Sequence, residues 1–65
     1  MIKVTKINNQ GMVINSELIE YMEATPDTTI TLTTGRKIIV RESIDDIIKK
    51  SIEFKKSFFS RLEEI

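Results

Sequence analysis

The chain has 65 residues, 40% of them hydrophobic and 31% charged, with ten bases balancing ten acids and neither cysteine nor histidine. A chain of this length forms one domain that buries only about 60% of its unfolded surface, and its composition is that of a folded soluble domain rather than a disordered tail. The balanced charge argues against wholesale nucleic-acid binding, and the missing residue types exclude disulfides, thiolate nucleophiles and His/Cys zinc sites.

The longest apolar runs are three residues, too short for a transmembrane helix. The opening MIKVTKINN lacks the apolar stretch of a secretory signal, so a cytoplasmic domain is expected. So small a domain without disulfide or metal calls for other support, such as oligomerisation or docking on a larger partner.

Taken in order, Ile2 and Val4 alternate with Lys3 and Thr5 to give a first strand. Asn8-Asn9-Gln10-Gly11 supplies the first turn, with Asn and Gly offering positive φ. Met12 to Ile14 is the second strand. Asn15 and Ser16 can bond nearby amides and begin a tight turn or short helical loop. Leu18 to Ala24 reads as the third strand, with Leu18, Glu20, Met22 and Ala24 on one face and Ile19, Tyr21 and Glu23 on the other. Apolar residues on both faces predict cover on both sides.

Thr25-Pro26-Asp27-Thr28 is a proline turn into a fourth strand, Thr29 to Thr33, in which Ile30 and Leu32 alternate with threonines. The Thr33-Thr34-Gly35-Arg36 turn places glycine where positive φ is needed. Strand five, Lys37 to Arg41, alternates Ile38 and Val40 with Lys37, Ile39 and Arg41. These short connections predict an antiparallel meander over residues 1–42.

At Ser43 the period changes. Ser43 is an N-cap with Asp46 three residues on, an acidic variant of the capping box, and Asp45 and Asp46 suit the helix dipole. The helix is predicted over residues 43–64. Ile44, Ile47, Ile48, Ile52, Phe54, Phe58, Phe59 and Leu62 fall within an arc of about 160° on its wheel. Asp45 to Lys49 and Asp46 to Lys50 are spaced for i,i+4 ion pairs.

About 20 residues give roughly 30 Å of helix, against about 17 to 20 Å for a five- or six-residue strand. Ile44 to Ile52 are therefore expected to pack on the sheet. Phe54, Phe58, Phe59 and Leu62 are left as an apolar end needing a second subunit, a partner or a lipid surface. Lys55 sits near the middle of the apolar arc, where its charge must snorkel or find a carboxylate. Phe54, Lys55, Phe58, Phe59 and Leu62 are the candidate protein interface.

Catalytic, cofactor-binding and metal-binding residues are not predicted. The acidic groups Glu17/Glu20/Glu23 and Asp45/Asp46 could in principle pair as acid and base or hold a cation, but Glu20 and Glu23 alternate onto opposite strand faces, and helix-end electrostatics accounts for the aspartates. The two glycines, Gly11 and Gly35, fall at hairpin turns rather than in a phosphate-binding loop. The phenylalanines lie on a helix rather than on a basic sheet, which disfavours an RNA-stacking platform. Charge is separated along the chain: Glu17, Glu20, Glu23 and Asp27 form an acidic stretch, and Lys49, Lys50, Lys55, Lys56 and Arg61 a basic one interrupted only by Glu53. Two solvated faces are the plain reading, and a dipolar docking surface the alternative.

The residues Ile19-Glu20, Glu23-Ala24-Thr25-Pro26-Asp27-Thr28, Ile30-Thr31-Leu32, Gly35-Arg36-Lys37 and Val40-Arg41-Glu42-Ser43 give the chain a family likeness. It resembles the small FlbD-type flagellar proteins, also called the SwrD swarming-motility family, over nearly its whole length. Ile2-Lys3-Val4-Thr5, Asn8-Asn9, Ile14-Asn15 and Leu18-Ile19-Glu20 extend the likeness. Gln10 departs from it, since Gly11 comes one residue later than an Asn-Gly turn requires. The resemblance implies a non-enzymatic cytoplasmic accessory of bacterial flagellar motility, acting by protein contacts near the motor or export apparatus. No active site is implied.

The expectation is a small α+β domain, an antiparallel β-meander of four to five strands followed by one long C-terminal amphipathic helix. It is expected to form homo-oligomers through that helix and to meet a flagellar motor or export-apparatus protein, with peripheral membrane contact left open. The competing reading is a small nucleic-acid or membrane-surface binder using the basic helix.

Overall fold

The computed structural model describes residues 1–63, with side chains through residue 57, and shows the expected α+β fold. Strands β1 (Ile2–Thr5) and β2 (Gly11–Ile14) form an antiparallel hairpin with Ile2 opposite Ile14 and Val4 opposite Met12. Strands β3 (Ile19–Ala24), β4 (Thr28–Leu32) and β5 (Lys37–Val40) form an antiparallel meander with β4 in the middle. Helix α1 spans Ile44–Glu63.

A meander running through all five strands is not what forms. β2 and β3 are not neighbours, and the first strand instead reaches the fifth. Lys6 bridges Val40, the Ile7 amide donates to the Ile39 carbonyl at 3.2 Å, and the Arg41 amide donates to the Thr5 carbonyl at 2.8 Å. The strands therefore form two antiparallel sheets, β1–β2 and β3–β4–β5, tied together where the chain leaving β1 meets β5. Between them, Asn15 caps a single 3₁₀ turn over Ser16–Leu18, its side chain accepting from the Glu17 amide at 3.0 Å.

The turns follow local chemistry with one exchange of roles. Gly35 has φ of +92°, as its turn requires, and its amide donates to the Leu32 carbonyl. In the first turn Asn9, at φ of 70°, takes the left-handed position, and Gly11 is simply the first residue of β2. Asparagine tolerates that conformation better than other residues with a Cβ. The Asn8 side chain fixes the loop by accepting from the Gln10 amide, so Gln10 is accommodated without an Asn-Gly turn. The third connection runs Thr25 to Asp27 and contains a cis Thr25–Pro26 bond.

Ile2, Val4, Ile14, Ile30, Ile38, Val40 and Ile47 form the buried core, with Met12, Ile19, Met22 and Leu32 packed against it. The face assignment expected for β3 is corrected here. Ile19 pairs with Leu32 and Tyr21 with Thr31, so Glu20 is an extra residue, a bulge. The bulge shifts the strand's phase by one residue. Ile19 and Met22 therefore share the core face, and Tyr21 and Glu23 lie on the outer one, which the helix leaves uncovered.

Ser43 caps α1, its hydroxyl accepting from the Asp46 amide at 3.1 Å and its carbonyl from the Ile47 amide. Asp45 and Asp46 lie in the first turn, as the dipole favours. Neither predicted i,i+4 ion pair forms among the described residues. Lys50 lies beside Glu42 instead, and Asp45, Asp46 and Lys49 remain in solvent.

Candidate interaction surface

The helix packs against β1 and β3, and its grip on the sheet is narrower than its apolar arc. Ile47 is fully buried, while Ile44, Lys50 and Ser51 are half-buried. Ile48 and Ile52 were expected to pack on the sheet. They remain 45% and 50% exposed, one turn apart on the flank of the helix that turns away from it. The reason is angular: at 100° per residue Ile48 and Ile52 lie about 100° and 140° around the helix from Ile47. A packing face that meets the Ile47 row cannot reach both.

Phe54 lies within about 20° of Ile47 around the helix yet is 38% exposed, two turns beyond that contact. Lys55 has found its carboxylate: Nζ lies 3.3 Å from Glu17 Oε1 on the 3₁₀ turn. Both side chains are more than half exposed, so the pair contributes roughly 0 to 1 kcal/mol. It orients the helix against the turn more than it stabilises the fold. Phe58, Phe59 and Leu62 of the expected interface lie outside the residues whose side chains are described.

A concavity of about 450 Å³ lies between the β1–β2 hairpin and the helix and is lined by Lys3, Thr5, Met12, Val13, Glu42 and Lys50. Glu42 gives it its structure by accepting the Thr5 amide at 2.7 Å, between the last strand and the helix. Burial acts to raise its carboxyl pKa. The bonds from the Thr5 amide and hydroxyl, its own amide and the charge of Lys50 outweigh that and leave it below the ordinary value. Nothing in the sequence pattern singled out Glu42, because its partner is 37 residues away. Among the described residues no cluster of three acidic or metal-ligating side chains forms, and no helix is long and apolar enough to cross a membrane.

The sequence matches the FlbD family model, described as flagellar and swarming motility proteins, over residues 1–59. The chain belongs to the FlbD family. Comparison with curated proteins and with solved structures gives no match. FlbD is a family of motility proteins rather than a known enzyme family. The matched region takes in every strand, the whole Glu42 contact and the exposed row on the helix.

Proposed function

We propose that this FlbD protein is a non-enzymatic cytoplasmic accessory of flagellar motility that acts through protein contacts, near the motor or export apparatus, made by the uncovered side of α1. The observation that carries the reading is the apolar row of Ile48 and Ile52, left about half exposed on a helix whose core contact is already made by Ile47. Two large aliphatic side chains side by side, one turn apart on a rigid element, make a contiguous apolar patch of the kind an interaction surface presents, unlike a single exposed residue such as Ile39.

The basic helix is less suited to nucleic acid or anionic lipid than its composition suggests. Lys55 is paired with Glu17 and Lys50 faces Glu42, while Asp45, Asp46 and Glu53 are interspersed among the cations. Such binding depends on a concentration of unpaired cations and falls steeply with salt.

The test is Ile52→Asp expressed as the only copy in a motile host, with Ile39→Asp on the opposite face as control. Both positions are about half exposed, so both variants should fold, as circular dichroism would verify. Ile52→Asp should abolish or strongly reduce swarming and Ile39→Asp should leave it intact. Normal swarming with Ile52→Asp would exclude the helix row as the working surface.

A further inference from the structure

Resting on the reading of this row as an interaction surface, we infer that its first occupant is a second copy of the chain, docked helix to helix in antiparallel orientation about a two-fold axis level with residue 50. The charge pattern supports this choice. In that register Ile48 of one copy lies opposite Ile52 of the other, and both half-exposed isoleucines are covered by their own symmetry mates. Asp45 falls within one residue, about 1.5 Å along the axis, of the level of Lys56 in the second copy.

The flanks also agree. Measured from the midline between Ile48 and Ile52, Asp45 lies about 40° and Lys56 about 60° to one side, at 100° per residue. A two-fold axis of this kind brings like flanks together, so each Asp45 meets a Lys56 and the contact occurs twice. Lys55 lies on the other flank, where Glu17 of its own chain holds it. Asp45 and Lys56 are both exposed, and neither has an ion-pair partner among the described residues. Lys49 approaches its symmetry mate near the axis, but it lies between Asp45 and Glu53 of its own helix, which offset its charge.

A parallel arrangement loses these features together. Its two-fold axis runs along the helices and brings unlike flanks together at equal levels, so Ile48 no longer meets Ile52, and Asp45 and Lys56, about 16 Å apart along the axis, cannot pair. The sheet does not obstruct the antiparallel pair, because the row faces roughly 120° away from Ile47, which marks the buried side.

Sedimentation of the full chain over a concentration series should show a monomer–dimer equilibrium. Asp45→Lys and Lys56→Asp should each weaken it by about tenfold, and the double variant should return it to within about threefold of wild type, as a charge pair exchanged in place does. The double variant separates pairing from folding, since it still lacks the acidic residue that favours the helix N-terminus. The natural chain has no cysteine, so a mixture of Ile48→Cys and Ile52→Cys chains gives an independent reading. Oxidation should yield mostly the mixed disulfide for the antiparallel pair, whereas predominant like-with-like disulfides would overturn the orientation. A chain that stays monomeric at all concentrations, or a double variant no better than the singles, would overturn the inference. If such a monomer still loses swarming with Ile52→Asp, the interaction surface stands and only the second copy is wrong.

Discussion

At the scale of single residues, Glu42 shows how one side chain joins segments that no local pattern connects. It follows the last strand, and its carboxylate holds the amide of Thr5 at the end of the first. Glu42→Gln, which keeps a neutral acceptor for the Thr5 amide, should cost roughly 1 kcal/mol at neutral pH, the difference between a hydrogen bond to a charged acceptor and one to a neutral one. Because the native pKa is lowered, the charged form's contribution is complete above the ordinary value of 4.5 and is lost as pH falls through the native value. Urea unfolding of wild type and variant should therefore show the gap narrowing on acidification below that point; a constant gap would mean that the amide bond does not depend on the charge. Lys55 was legible from sequence as a charge needing a partner, since its place on the apolar arc is fixed by helical periodicity. Its partner was not, because Glu17 lies on a turn 38 residues earlier, brought there only by the fold.

Among the elements, those set by neighbouring residues were readable and those set by distant pairing were not. Ser43, Asn15 and the Thr34-Gly35 turn act on amides within three residues, and each does what its chemistry predicts. The bulge at Glu20 escapes such reading, since strict alternation in β3 is broken only when Leu32 and Thr31 choose their partners. Strand order was hidden for the same reason: short turns favour neighbours, but Thr5 to Ile7 pair with β5. The two glycines make the distinction measurable. Gly11 has ordinary strand geometry and open space where a Cβ would go, so Gly11→Ala should be neutral or stabilise by up to about 1 kcal/mol. Gly35→Ala must place a Cβ at φ of +92° and should destabilise by about 1 kcal/mol or more. Paired thermal melts decide it, and equal shifts would contradict the assignment of the left-handed position.

For the molecule as a whole, Ile47 is the fully buried contact by which α1 reaches residues of both the hairpin and the meander. Ile47→Ala should cost about 2 to 4 kcal/mol, and hydrogen exchange should quicken at Val4 in β1 as well as along the helix. Exchange confined to the helix would show that the sheet holds together without it. The α+β class and the helix were legible from periodicity, whereas the narrow helix footprint was not, because it depends on the angle at which a four-residue strand meets a helix of 20 residues. The pairing of Thr5 to Ile7 with the end of β5 also bears on how the protein is made. A ribosome releases the first hairpin early, but an isolated two-stranded hairpin is marginal in water, and its partners Ile39 to Arg41 and Glu42 emerge some 30 residues later. Non-local pairing of this kind waits for chain closure. The first hairpin can therefore be protected only once the chain through Glu42 has joined it and Ile47 has closed the core.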